Sequence, residues 1–382
     1  LIGTMSGAWT LPLPPEVQMS DIHLSEGASD IVFKDQQLQL ACPKPELESR
    51  MVKGLIETPD GPKMLAQSIF YGIPARADYQ TVQGLPRDTW RLDDDDGSVQ
   101  AYGGRSGTHL WSSSTRSFER ITLGKDQRLK DQAIGPTHFG FLLDRAVRFV
   151  NRKKVSDSRM IEIETGEQLV QFGSHFLILS ATRYAMARNT GNGFEVERFE
   201  KIRWPEDPPS SIKVIRPLHA SCRTRETYLL GDGKVFTMRL KSDRPDITKL
   251  RISRAPGKFT SGIQILNHQL ALTVPESGDI LHLVDTRSGR LTEQQGAKSW
   301  FGGPLHRAGN RINVYRGFYV TAQQSPADNM VTVYLIHPTS FNSKKVCSFQ
   351  SSVVPNSIAT HGDTLQLHMY RYALELDLKI LL

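Results

Sequence analysis

A short β-rich run, a polar or glycine turn, a second β-rich run and then a turn of the Asp-Thr-Gly kind return repeatedly along these 382 residues. The pattern is plainest at Gln269-Leu-Ala-Leu-Thr-Val274, Ser277-Gly278-Asp279, Ile280-Leu-His-Leu-Val-Asp285 and Thr286-Arg-Ser-Gly289. It returns at Phe139-Gly-Phe-Leu-Leu-Asp144, Met160-Ile-Glu-Ile-Glu164 and Thr165-Gly166. A unit this short cannot bury its apolar face alone, so neighbouring units must stack to share a core. Units begin near Phe139, His175, Thr227, Gln269, Phe318 and Thr360, offset by 36, 52, 42, 49 and 42 residues. Those offsets scatter around the roughly 40–50 residues of a four-stranded propeller blade.

The residues inside a unit suit strands and tight hairpins. Tyr228-Leu-Leu-Gly-Asp-Gly-Lys-Val-Phe-Thr-Met-Arg-Leu240 reads as two strands around Gly231-Asp-Gly-Lys234, where glycine supplies the positive φ of a tight turn. Val331-Thr-Val-Tyr-Leu-Ile336 is rich in β-branched and aromatic side chains that pack on a pleated surface. Leu365-Gln-Leu-His368 and Ala373-Leu-Glu-Leu-Asp-Leu378 alternate apolar with polar residues almost to the last position. The C-terminus is therefore expected to be a strand within a sheet, pairing with N-terminal material.

Runs ending in Ile161-Glu-Ile-Glu-Thr-Gly-Glu167 and Leu283-Val-Asp-Thr-Arg-Ser-Gly-Arg290 resemble the blade ends of WD40-like and quinoprotein-like β-propellers, a likeness that spans roughly Ser98 to Leu382. No Gly-His paired with Trp-Asp repeats, and Trp9, Trp90, Trp111, Trp204 and Trp300 follow no blade period. The resemblance implies an all-β fold, a single closed β-propeller of six or seven four-stranded blades over residues 30–382. Residues 1–29, with Pro12, Pro14 and Pro15 and little periodicity, read as an N-terminal arm or lead-in.

Charge is spread unevenly. The formal net charge is +7, and residues 145–258 hold 23 Lys and Arg against 13 Asp and Glu, while the rest of the chain holds 24 against 27. A field of one sign steers oppositely charged partners. Arg152, Lys153 and Lys154 form a basic hairpin tip between two β runs, and Arg223 and Arg225 precede a third. These five are the expected contacts of an acidic protein partner. Nucleic acid is the lesser reading, because Phe149, Phe172 and Phe176 occupy strand positions suited to core packing instead of stacking on bases. No apolar run approaches the roughly 18 residues that span a bilayer. Cys42, Cys222 and Cys347 are sparse, odd in number and without a Cys-x-x-Cys, which suits small buried hydrophobes in the cytoplasm or another reducing compartment.

No nucleophile elbow, zinc-protease, phosphate-loop or dinucleotide motif occurs. The acidic run Asp93-Asp-Asp-Asp-Gly97 fails as a calcium loop: with Gly97 as the central glycine, the ends fall on Leu92 and Gly103, neither of which offers a side-chain oxygen. The function expected is a non-catalytic scaffold that docks protein partners on its faces within a larger assembly, with no cofactor, no metal and no small-molecule substrate. The alternative is an enzyme or small-ligand binder at the central mouth, drawing on Asp144, Asp232, His306 and His361 from separate units.

Overall fold

The computed structural model describes residues 10–12, 15–18, 20, 22–26, 31–35, 37–40, 48–59, 61–71, 75–78, 90–93, 99–104, 107–112, 117–124, 127–154, 156–191, 193–301, 305, 311–325, 327, 330–350, 355, 357–368 and 373–381. Strand dominates: the helices described are the four-residue turns Lys298–Phe301 and Leu378–Leu381 and two 3₁₀ turns. None of these helices is long and apolar enough to cross a membrane. The chain packs as two compact units, 86–310 and the combination of 1–85 with 311–382.

Unit 86–310 contains five antiparallel meanders, spanning 90–122, 131–162, 168–201, 212–249 and 261–294. Four of them have four strands, and 168–201 gains a fifth through Glu200–Lys201. Each buries apolar residues against the next. Phe149 of one sheet stacks on Phe194 of its neighbour at 4.0 Å between ring centroids and lies 5.2 Å from Phe176. Leu177, Leu179 and Met186 pack with Leu229, Phe236 and Met238 of the following sheet. Ile215, Tyr228 and Leu230 pack in turn with Leu270, Leu272 and Val284. Burying one such side chain contributes about 1.5–3 kcal/mol, so the shared faces and not the isolated meanders carry the stability.

The other unit holds the 312–350 meander and a four-stranded sheet in which Ser357–His361, Thr364–His368 and Ala373–Asp377 are completed by Ala75–Asp78. Ala373 pairs with Asp78 and Leu376 with Ala75, so the last strand takes a partner from much earlier in the chain. Val320, Val331, Val333 and Phe349 form one core with Leu365, Leu367, Leu374 and Leu376. Cys347 is buried here, and burial pushes its thiol up to about 12.

Two findings differ from the sequence expectations. Thr10–Pro12 and Ile22–Glu26, assigned to a lead-in, are strands that pair with Gln37–Leu40 and Glu48–Ile56 in two three-stranded sheets. Backbone pairing with partners further along the chain makes these strands: Thr10–Pro12 is too short to show a period, and Ile22-His-Leu-Ser25 alternates apolar with polar over one short run only. The phase of the repeat also shifts. Phe139, His175, Thr227, Gln269 and Phe318 lie in the second strands of their sheets, while the first strands begin at Asp131, Gln168, Ile212, Ser261 and Ile312. Glycine and Asp turns mark the hairpins, but Thr165-Gly166 lies in the link that enters Gln168–Phe172 and not in a hairpin.

Candidate functional site

The first strands of consecutive sheets in unit 86–310 are tied together by polar groups. Asp131, 6% exposed, accepts from the backbone N–H of Leu169 at 2.8 Å and of Gln132 at 2.9 Å. Its carboxylate also takes Arg216 Nη2 at 2.5 and 2.6 Å, and the same nitrogen donates to the Leu169 carbonyl at 3.2 Å. One ion pair thereby joins three sheets. Burial pushes the Asp131 carboxyl up, against the opposing pull of Arg216 and the two N–H groups. Gln168 Oε1 accepts from the Val214 N–H at 2.9 Å, a further tie between neighbouring first strands, and Thr108, in the strand Gly107–Ser112, donates to Gln132 Oε1 at 2.9 Å.

Beside this girdle lies a cavity of about 290 Å³. Its walls come from the C-terminal ends of the first strands, Ala133–Ile134, Val170–Phe172 and Val214–Ile215, and its rim from the 216–226 loop. That loop is held at many points. The Gln264 N–H donates to the Arg216 carbonyl and the Leu218 N–H to the Gln264 carbonyl, both at 2.8 Å, with Pro217 bridged to Gln264. His219 caps a 3₁₀ turn over Ala220–Cys222, whose Cys222 is buried. Gln264 Nε2 donates to Thr224 Oγ1 at 3.1 Å, and Thr224 donates to the Glu226 carbonyl at 3.0 Å. Glu226 accepts from the Tyr228 hydroxyl at 3.1 Å and pairs with Arg239.

Of the five expected contact residues, Arg223 and Arg225 line this cavity. Arg152 is half-buried: its guanidinium donates to the Gly135 carbonyl at 3.1 Å and lies 5.7 Å from the Phe139 ring centroid. Lys153 and Lys154 are exposed on the adjoining hairpin tip. The Arg152 N–H also donates to the Thr137 carbonyl at 2.9 Å, which puts that tip at the same end of its sheet as Ala133 and Ile134. Phe149 and Phe176 are buried and Phe172 packs partly buried against its neighbours.

Much of the basic excess is matched locally. Arg188 pairs with Glu197 and Asp243, Arg183 with Glu164, and Glu206 holds both Lys234 and Lys249. Those two lysines lower the Glu206 carboxyl below its ordinary value.

The residues of the alternative reading do not line the cavity. Asp144 lies 3.6 Å from Lys130, at a turn on the opposite end of its sheet. Asp232 sits in a hairpin turn and accepts from the Ser210 hydroxyl at 2.6 Å and N–H at 2.9 Å, bonds that lower its carboxyl. His361 is exposed at a strand end in the other unit, and His306 lies outside the described residues. Asp93 closes a strand, and 94–97 also lie outside the described residues. Among the described residues no three His, Cys, Asp or Glu side chains converge as a metal site. Sequence reasoning missed Arg216, His219 and Asp131. Asp131 carried no signal in the sequence, because Asp131-Gln-Ala-Ile134 is half polar and only its burial shows a carboxylate in need of partners.

No protein-family model matches the chain, and no curated protein matches it. Among solved structures, one titled as the crystal structure of the mitotic checkpoint complex matches at 10% identity and TM-score 0.46, covering 78% of this chain and 90% of that one. The WD40 domain of Neurospora crassa Pan2 matches at 14% identity and TM-score 0.44, covering 75% and 88% respectively. Identities this low say nothing of activity or partner.

Proposed function

We propose that this chain is a non-catalytic interaction module, a propeller closed from six or seven blades that holds a protein partner within a larger assembly. The completion of the C-terminal sheet by Ala75–Asp78 supports closure, since it joins strands from distant parts of the chain in one sheet. The observation that carries the functional reading is the 216–226 loop, held by backbone bonds and presenting Arg223 and Arg225 at the cavity. Lys153 and Lys154 extend the basic ground at the neighbouring hairpin tip, and an acidic protein surface is the partner such ground attracts.

The test is affinity capture from the native source with cross-linking, followed by association kinetics for the recovered partner. Reversing Lys153, Lys154 and Arg223 together to Glu slows association and flattens its dependence on ionic strength, because exposed charges act chiefly on encounter rate. Kinetics unchanged in that variant, or turnover of a small substrate with no specific protein recovered, overturns the reading.

A further inference from the structure

We propose that Ser156 is a phosphorylation site for a basophilic serine kinase, and that its phosphate neutralises the basic tip carrying Lys153 and Lys154. The switch rests on the interaction-module reading and gives that basic ground a regulator, whereas the site stands on local chemistry. Kinases of this class read positive charge just ahead of the acceptor, and Lys153 and Lys154 lie three and two positions before Ser156. Both lysines and the serine are exposed.

Accessibility separates Ser156 from other serines. It lies in the loop that joins Ala146–Asn151 to Ser158–Glu162, and its hydroxyl has no partner among the described residues. The loop is closed by the Asn151 N–H on the Asp157 carbonyl at 2.9 Å and the Asp157 N–H on the Lys154 carbonyl at 2.8 Å. A surface tip held by a few backbone bonds opens at low cost, so it can extend into a kinase cleft while the sheet stays paired. Ser158 differs: its backbone pairs with Val150 and its hydroxyl accepts from Arg148 Nη2 at 3.1 Å. Ser242 also follows a basic residue by three positions, but Arg239 is paired with Glu226, and Ser242 sits at φ 48° in the tight turn between paired Lys241 and Arg244. Reaching it would mean opening that hairpin.

The reaction is a phosphoryl transfer from ATP held by the kinase. Ser156 Oγ bonds to the γ-phosphorus as the bond from that phosphorus to the β-γ bridging oxygen breaks; ADP leaves, and the hydroxyl proton passes to the kinase's base and then to solvent. Magnitude decides the consequence. Arg152, Lys153, Lys154 and Asp157 give the tip a formal charge of +2, and a phosphoserine carries about −1.5 to −2 at neutral pH. One phosphate therefore brings the tip close to neutral.

The experiment incubates the full chain with radiolabelled ATP and a purified serine kinase selective for Lys or Arg two and three residues before its acceptor, and maps the phosphate by mass spectrometry. Label enters Ser156. Ser156→Ala abolishes it, whereas Ser158→Ala and Ser242→Ala keep it. Lys153→Ala with Lys154→Ala slows labelling about tenfold, the loss expected of charge-assisted contacts, and leaves the thermal midpoint at the parent value. Binding of labelled polyglutamate, followed by anisotropy at low ionic strength, weakens severalfold on phosphorylation of Ser156. Lys344→Glu, a comparable charge change at an exposed position of the other unit, weakens it less. Label confined to other residues, or undiminished in Ser156→Ala, overturns the site. Polyglutamate binding that the phosphate leaves unaltered, while Lys153→Glu with Lys154→Glu weakens it, overturns the switch. If those lysine reversals also leave it unaltered, the basic-ground reading has failed and labelling at Ser156 still establishes the site.

Discussion

Two segments that look alike in sequence, Glu164-Thr-Gly166 and Asp285-Thr-Arg-Ser-Gly289, do different work in the same unit. The second is a hairpin inside a sheet, joining Leu281–Asp285 to Leu291–Gln294. Asp285 Oδ1 accepts from the Ser288 N–H at 2.7 Å, the Ser288 hydroxyl at 2.8 Å and the Arg287 N–H at 3.0 Å. Gly289 closes the turn at φ +69°, and its carbonyl accepts from the Ser253 N–H at 3.0 Å. The first segment is instead the link between sheets, leaving Ser158–Glu162 for Gln168–Phe172. Its acid is one methylene longer than Asp, and Glu164 reaches Arg183 at 2.5 Å. Gly166 is there for space, buried under Leu142 and Ile178. A short acid folds back on its own turn, whereas a long one pairs across the surface.

Substitution at the two glycines separates these roles most sharply. A Cβ on Gly289 would lie 1.9 Å from the Arg251 carbonyl oxygen, and its φ is one that side chains rarely adopt. Gly289→Ala therefore costs about 3 kcal/mol or more, through backbone that cannot yield. A Cβ on Gly166 would meet Leu142 Cδ1 at 2.9 Å and Ile178 Cγ2 at 3.0 Å, which are side-chain atoms able to shift. Gly166→Ala costs about 1–3 kcal/mol, the range of overpacking. Denaturant titration of the two variants measures both, and equal losses would erase the distinction.

A smaller effect tests the acids. Asp285→Ala removes the acceptor for two backbone N–H groups and costs about 1 kcal/mol. Its effect depends on pH. The Ser288 bonds, from N–H and hydroxyl, hold the Asp285 carboxyl below its ordinary value. The unfolded chain therefore binds this proton first, and the stabilisation is complete above about pH 3.9 and lost as pH falls through the lowered folded value. Asp285→Asn, which keeps an acceptor but not the titration, narrows its stability gap to the parent across that window. A gap independent of pH down to about 3 would assign the turn to geometry alone.

The tight turns were legible because their chemistry is local. Gly231-Asp-Gly-Lys234 forms the expected hairpin, with Asp232 at φ 48° and Gly233 at φ 82° between paired Gly231 and Lys234. Gly166 was misread as a turn residue because a glycine needed for a close approach and one needed for positive φ look identical in a string. The cavity was half legible. Arg223 and Arg225 stood out by charge, but Arg216 looked like one more basic residue until Asp131, 85 positions earlier in the chain, was seen to bind it.

The order of amino acids determined an all-β chain of repeating antiparallel units, the turns that punctuate it and the alternation of its last strands, because two-residue periodicity and positive φ act within a few positions. Tertiary structure alone decided the rest. Which strand begins each sheet, the pairing of Ala373–Asp377 with Ala75–Asp78 and the joining of three sheets by Asp131 and Arg216 depend on partners far apart in sequence. Burial and hydrogen bonding select those partners only once the sheets have stacked, and no short window of residues carries that information.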